Sequence, residues 1–310
     1  MTVAVGLETG TATAAAPGRR ALRAVARDYV SLTKPRIIVL LEVTAFAAMV
    51  MAARGWPGTW RVLVTLAGGA LAAGGANTIN MWFDRDIDRT MQRTCGRPIA
   101  SGRIGPAAAL GFGVGLGTAG FAVLALFANL LAAVLATSAL LFYVLVYTMY
   151  LKRSSVQNIV IGGAAGAVPP LVGWAAVTGR LDVPALFLFA VVFYWTPPHF
   201  WALSLLMQAD YGRARVPMLP VVVGSRTTRI HIVLWTLILL IVTLLPFLAR
   251  SFGWVYLAGA AVLDGIFLAD ALRLLGDPSP RSASRLFHYS LLYLALIFAV
   301  MAIDRVVIPG

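Results

Sequence analysis

Apolar residues run along the chain in long unbroken stretches, not in the alternating or one-faced patterns of a water-soluble fold. Nine windows of about 20 mainly apolar residues, the length a helix needs to cross a hydrocarbon core of ~30 Å, predict spans at 37–53, 60–82, 107–127, 130–151, 159–178, 185–207, 230–249, 254–275 and 286–308. Barrel strands would alternate, and lipid-exposed backbone satisfies its own hydrogen bonds only in helices or closed barrels. The predicted fold class is an all-α polytopic membrane protein with nine transmembrane helices.

Polar residues collect in the connections, and these sort by charge. One alternate set holds Arg19, Arg20, Arg23, Arg27, Lys34 and Arg36, then Arg85, Arg89, Arg93, Arg97 and Arg103, Lys152 and Arg153, Arg213, Arg215, Arg226 and Arg229, and finally Arg273, Arg281 and Arg285. That set carries 20 positive charges, against five (Arg54, Arg61, Arg180, Arg250, Arg305) on the other. The positive-inside rule then puts the N-terminus and the two longest connections, 83–106 and 208–229, in the cytoplasm and the C-terminus outside. Topology thus accounts for most of the net charge of +13, which in a soluble chain would point to nucleic acid. With 60 % hydrophobic and 12 % charged residues the chain lies far from the roughly 45–50 % and ~25 % of soluble domains. One cysteine, Cys95, excludes an internal disulfide, and with three histidines leaves no structural zinc framework.

Residues 1–28 read as a cytoplasmic tail ahead of a membrane domain at 29–310. The Ala, Gly and Thr content of 1–18 predicts disorder. Leu22, Val25, Ala26, Tyr29 and Val30 keep helical spacing against Arg19, Arg20, Arg23 and Arg27, which suits a short helix lying on an anionic leaflet. A transit peptide is the alternative reading of the same Arg-rich, acid-poor stretch.

The unusual chemistry sits at the cytoplasmic edge. Asn80, Asp84 and Asp88 are spaced four apart, so on a continuing helix they drift about 40° per step and share one face, with Asp86 pointing elsewhere. Such oxygen ligands suit Mg²⁺ shared with a phosphate, with Arg97 and Arg103 close behind; the alternative is a salt-bridged helix end neutralised by Arg85 and Arg89. From Asp88 a proline lies ten residues on (Pro98) and a glycine fourteen on (Gly102), and Asp210 repeats both offsets at Pro220 and Gly224. Two pseudo-equivalent four-span halves, each with an acidic loop at one mouth, follow from that match. His199 lies in TPPHFW, where Pro197 and Pro198 are expected to break or kink the sixth span. It is either functional, as intramembrane ionisable groups are by default, or satisfies carbonyls those prolines free. Lys152 and Arg153 are topology charges or phosphate ligands. Glu42 and Asp264 are expected to make polar contacts between helices, and His231 and His288 to be interfacial.

NxxxDxxxD at Asn80, Asp84 and Asp88, followed by RPIASG, resembles the first signature of the UbiA-type intramembrane prenyltransferases. LTKPR at 32–36, YTMYLKR at 147–153, NIVIGGAAGAVPPLVGW at 158–174, TPPHFWAL at 196–203 and DYGRARVPMLPVV at 210–222 resemble the haem-farnesylating branch of that family. The likeness runs from about residue 29 to residue 225 and is loose over the last three spans. In one place it departs: the branch often shows Lys-Asp-Asp-Tyr where this chain has Gln208-Ala209-Asp210-Tyr211, which takes away one ligand of a second metal ion.

The resemblance implies nine helices around a central cavity and transfer of farnesyl from farnesyl diphosphate to a vinyl group of haem B. Water adds to give the hydroxyethylfarnesyl side chain of haem O, and diphosphate leaves. It implies Mg²⁺ on Asp84 and Asp88, with Asp210 as the remaining ligand of the second site, and Asn80, Arg97, Lys152 and Arg153 on the diphosphate. His199 would be a base for the added water or an axial haem ligand, and Gly162 to Gly166 a face for the macrocycle or lipid tail, or simply for helix packing. It further implies the cytoplasmic membrane of a prokaryote, and a haem A synthase or terminal-oxidase assembly downstream. Two other readings stand beside it: a quinone or chlorin precursor as acceptor, or a transporter with the acids as its cation site. Reporters fused after Gly102 or Gly224 should read cytoplasmic and one fused at Gly310 external; equal sidedness at Gly102 and Gly310 would mean a miscounted span.

Overall fold

The computed structural model describes residues 19–307, so the expectation of disorder for 1–18 lies outside the described residues. Among these, nine helices are long and apolar enough to cross a membrane: Pro35–Ala53, Thr59–Phe83, Pro106–Phe127, Leu130–Ser154, Asn158–Thr178, Val183–Leu206, Gly224–Leu248, Trp254–Gly276 and Pro280–Val307. They are numbered here as spans one to nine. Each matches an expected window; the expected end of the last, Ile308, lies outside the described residues. Consecutive spans pack side by side and span nine returns to span one, which closes a ring.

Ahead of span one, a helix runs from Arg19 to Leu32, across the expected tail boundary at 28/29. Leu22, Val25 and Val30 are exposed on it, while Leu32 is fully buried against Met81, Ile99, Ile104 and Ala109. Arg103 donates to both oxygens of Asp28, at 3.0 and 3.2 Å, and so ties this helix to the loop between spans two and three instead of joining the acidic motif.

The proline pair of span six does not break its helix, contrary to expectation. Span six runs unbroken from Val183 to Leu206 through Pro197 and Pro198. Span five is the divided one, into Asn158–Ala167 and Pro169–Thr178, with Pro169 and Pro170 opening the second segment. Prolines are tolerated in the first turn of a helix and costly in its interior; in span six the segment stays helical because it is packed on both sides, with Trp195 and Trp201 buried in the main core. Span four carries a ten-residue π-helical stretch, Phe142–Leu151, before the short turn that ends it.

Two close approaches set the shape. Spans two and three meet through glycines: a Cβ on Gly75 would stand 2.7 Å from the Gly113 carbonyl oxygen, and one on Gly120 would stand 2.7 Å from the Ala72 nitrogen. Away from the acidic loops, the second segment of span five packs across the ring onto span one, where a Cβ on Gly173 would fall 2.1 Å from the Ala45 carbonyl oxygen. This contact holds the second segment of span five tightly against the middle of span one. Gly173→Ala is expected to cost about 1–3 kcal/mol, as forced overpacking does, seen as a lower melting temperature in detergent; an unchanged melting temperature would mean that the two helices separate freely there.

Candidate active site

Asn80, Asp84 and Asp88 do share one buried face, at 3 %, 0 % and 2 % exposure, while the Asp86 side chain is 61 % exposed. The helix does not simply continue. Span two ends at Phe83 and a short helix, Arg85–Thr90, follows, with Asp84 between them. The face survives because the Asp84 N–H donates to the Asn80 carbonyl at 2.9 Å and the Asp88 N–H to the Asp84 carbonyl at 2.8 Å, which keeps the i, i+4 ladder across the joint.

Four elements bring polar groups to this face. Lys152, at the end of span four, donates to Asp84 Oδ2 at 2.5 Å, and Asn80 Nδ2 donates to the same oxygen at 2.8 Å. Asp84 Oδ1 is buried and accepts no hydrogen bond, although the Arg153 guanidinium comes within 3.6 Å. Lys34, ahead of span one, donates to Asn80 Oδ1 at 2.8 Å and so orients the amide. Arg97 grips both oxygens of Asp88, at 2.8 and 2.9 Å. Thr148 accepts from Asn80 Nδ2 at 3.1 Å and donates to the Tyr143 carbonyl five residues back, at 2.8 Å, a reach that the π-helical turn provides.

These positive groups crowd one another. Burial and the neighbouring Arg97 and Lys152 charges lower the Lys34 ammonium to about 7, against which Asp84 and Asp88 pull only partly. Arg153 holds Asp86 at the rim by a two-pronged contact of 2.7 and 2.8 Å, stacks on Phe83, and is the first cause that lowers the Asp86 carboxyl to about 2. Three of the expected phosphate ligands, Arg97, Lys152 and Asn80, thus meet at the buried acids, with Arg153 beside them. Lys34 and Thr148 complete the cluster without having been singled out as site residues; the motifs LTKPR and YTMYLKR were their only sequence signals.

The second acidic loop docks on the first. Met91 and Ile87 pack with Tyr211, Val216 and Met218, and the Arg93 N–H reaches Asp210 Oδ2 at 3.4 Å. Gly102 and Gly224, matched by the repeat, both take left-handed backbone, at φ 77° and 81°, ahead of the next span. Asp210 is paired with Arg213. In the repeat it matches Asp88, and the match of Asp84 is Leu206. Among the described residues no three acidic, histidine or cysteine side chains lie close enough to hold one ion together, so Asp84, Asp88 and Asp210 are not one ligand set. A carboxylate pair still fits Mg²⁺, which commonly keeps several waters and takes only one or two carboxylates besides phosphate oxygens; the unpartnered Asp84 Oδ1 is the kind of donor it needs.

Below the cluster the same face of span two continues through Ala76, Ala73, Gly69 and Thr65. These line a cavity of about 90 Å³ with Leu41, Glu42 and Ala45 of span one, Ala136 and Leu140 of span four, and Val168 and Pro169 at the break in span five. Gly162 and Gly163 offer no open face: a Cβ would stand 2.3 Å from the Tyr147 ring and 2.8 Å from Thr196, so they serve helix packing. Across the ring His199 is buried, stacked between Trp195 at 4.3 Å and Phe287 at 4.9 Å, with Phe200 edge-on. Its Nδ1 pairs with Ser290 Oγ at 2.7 Å, and the Ser290 hydroxyl is itself donated to the Phe287 carbonyl at 2.6 Å. Nδ1 is therefore the protonated nitrogen and Nε2 keeps its lone pair. The ring binds span nine and leaves the carbonyls around Pro197 and Pro198 alone, against the structural alternative. Asp264 joins spans as expected, accepting from Thr243 and Tyr293, each at 2.6 Å. His231 and His288 bond the carbonyl four residues back, Thr227 at 2.9 Å and Ser284 at 2.8 Å.

Residues 41–297 match the UbiA prenyltransferase family. Among curated relatives, protoheme IX farnesyltransferase of Symbiobacterium thermophilum is 55 % identical over 282 residues, covering 90 % of this chain and 94 % of that one. Proteins of the same name from a Roseiflexus species and from Thermus thermophilus are 54 % and 53 % identical over 281 residues and 91 % of this chain. The chain spans about half the length of these two, 53 % and 46 %. Two solved structures share the fold at low identity. Digeranylgeranylglyceryl phosphate synthase has a TM-score of 0.74 at 20 % identity, covering 91 % of this chain and 99 % of that one. A UbiA homologue of Archaeoglobus fulgidus bound to DMAPP and Mg²⁺ has 0.65 at 17 %, covering 89 % and 99 %.

Proposed function

The chain belongs to the UbiA prenyltransferase family, and from that premise we propose that it transfers the farnesyl group of farnesyl diphosphate to a vinyl group of haem B, with water adding and diphosphate leaving. The observation that carries this reading is the buried cation cluster, Lys34, Arg97 and Lys152, closed around Asn80, Asp84 and Asp88 at the mouth of an apolar cavity. A transporter's acids would face a path through the membrane; here Asp84 and Asp88 are buried against Lys152 and Arg97. The haem acceptor, as opposed to a quinone or chlorin, rests on the curated relatives named protoheme IX farnesyltransferase.

The residues present divide the work as follows. Asp84 and Asp88, helped by Asn80, would hold Mg²⁺, which when bound neutralises diphosphate charge; the Archaeoglobus homologue bound to Mg²⁺ supports that cofactor. Lys34, Lys152 and Arg97 stabilise the charge that grows on the diphosphate as its bond to farnesyl carbon 1 breaks, with Arg153 at the rim. The farnesyl chain lies in the cavity under Asn80, where apolar walls keep water from the allylic cation. The terminal vinyl carbon bonds to farnesyl carbon 1, the inner vinyl carbon becomes cationic and takes a water oxygen, and that water loses a proton. His199 Nε2 has the free lone pair to accept it, and the faces of Trp195 and Phe287 stabilise the resulting imidazolium. Asp210 orients the second loop through Arg213 and Arg93. The reading includes a prokaryotic cytoplasmic membrane with the cation cluster facing the cytoplasm, and a haem-modifying or oxidase-assembly step as consumer of the product.

Membranes expressing the protein should yield a haem heavier by a hydroxyfarnesyl group, and pigment extraction with mass measurement tests this directly. Asp84→Asn or Asp88→Asn should abolish that product while the protein still inserts, and Asp86→Asn should leave most of it; the reverse order would refute the shared-face argument. His199→Ala should keep haem and farnesyl diphosphate binding and lose about 10²- to 10⁴-fold in turnover. A changed haem absorption spectrum, restored by free imidazole, would instead make the residue an iron ligand, and unaltered turnover would remove it from the mechanism.

A further inference from the structure

We propose that Glu42 and Thr65 form a polar floor in the cavity beneath the cation cluster and limit the prenyl chain it accepts to three isoprene units. The inference rests on the prenyl-transfer reading above and goes further by naming what sets donor length.

The elements that build the diphosphate site also build the pocket under it. Lys34 stands above, just ahead of span one, which supplies Leu41, Glu42 and Ala45 below; span two supplies Asn80 above and Ala76, Ala73, Gly69 and Thr65 below; span four supplies Thr148 above and Leu140 and Ala136 below. Alanine, glycine, valine, leucine and proline make most of the wall. Only two lining residues carry polar side chains, and both hold a buried oxygen without a partner: Glu42 Oε2 and Thr65 Oγ1. Thr65 is 1 % exposed. Glu42 lies level with Gly69, where a Cβ would be 3.1 Å from its Oε1.

Depth follows from the rise of span two, about 1.5 Å per residue. Gly69, and with it the Glu42 carboxyl, stands about 16 Å below Asn80, and Thr65 about 22 Å below. An extended isoprene unit reaches about 5 Å by ordinary bond lengths, so three units end near Glu42 and a fourth would pass it toward Thr65. The cavity has room for water that can satisfy both polar groups. A fourth isoprene unit would expel that water and leave the carboxyl and the hydroxyl facing hydrocarbon. Orphaning buried polar groups in this way weakens binding by roughly ten- to a hundred-fold per group.

The test measures binding of the non-transferable farnesyl and geranylgeranyl S-thiolodiphosphates to the full-length protein in nanodiscs, alongside haem farnesylation. Wild type should prefer the farnesyl analogue. Glu42→Leu with Thr65→Val, which keeps size and removes both polar groups, should raise the geranylgeranyl-to-farnesyl binding ratio at least ten-fold. Glu42→Gln, which keeps a hydrogen-bonding head, should stay within about three-fold of wild type. Both replacements remove unpartnered polar atoms from an apolar wall and so favour folding; the farnesyl affinity reports that the site is intact. Equal ratios in wild type and the double variant, or no preference in wild type, would overturn the proposal. Intact discrimination without haem farnesylation would support the floor and refute the assigned acceptor instead.

Discussion

The structure depends on a fully buried carboxylate at a membrane edge. Asp84 is at 0 % exposure, and an ionised carboxyl held away from water is costly unless charge and hydrogen bonds surround it. Those partners come from elsewhere in the chain: Lys152 from the end of span four, Asn80 from the preceding turn, and, through Asn80, Lys34 from the head of span one. One carboxylate thus ties three spans together at the loop end. The cluster is over-supplied with cations for that task alone. Lys34 sits among Arg97 and Lys152 with its ammonium held near neutrality, and an arriving dianion relieves the crowding. A group of like charges under mutual strain is poised for an anion, in the way a purely structural salt bridge is not.

Span four shows what it takes to aim those groups. A π-helical run is rare and geometrically poorer than an α-helix, and it is found mostly at functional sites. Here it lets Thr148 bond the carbonyl of Tyr143, five residues back, while turning its hydroxyl to Asn80. It also stacks Tyr143 on Tyr147 at 5.2 Å, and the Tyr147 ring fills the space that Gly162 leaves open. An α-helical span four would rotate Lys152 relative to Asp84.

What the amino-acid pattern revealed and what it hid follow from the range of the interactions. The nine spans were legible because hydrocarbon thickness acts on composition over about twenty residues at a time. The shared face of Asn80, Asp84 and Asp88 was legible because it needs only local spacing, and it survived the break at Asp84 because two backbone bonds carry the ladder across. Lys34 and Thr148 were not, since their contacts reach 46 and 68 residues along the chain. Arg103 misled for the same reason: its carboxylate is Asp28, 75 residues earlier. Proline pairs gave no local rule. Pro169-Pro170 starts a helical segment and Pro197-Pro198 lies inside one, and the difference is made by what packs around each.

The two ends of the ring pose opposite demands on water, and the placement of polar groups answers both. In the proposed reaction an allylic cation needs water kept out, which the alanine- and glycine-lined walls would serve. The later addition needs one water let in beside the acceptor. The proposed base for that water is His199, which is fixed by Ser290 and boxed by Trp195 and Phe287, with Nε2 left unprotonated. In the proposed reaction, separation by helix would keep the roles apart: the groups for the diphosphate come from spans one, two and four with the first long loop, while the proposed base sits between spans six and nine, so that neither set quenches the other's cation.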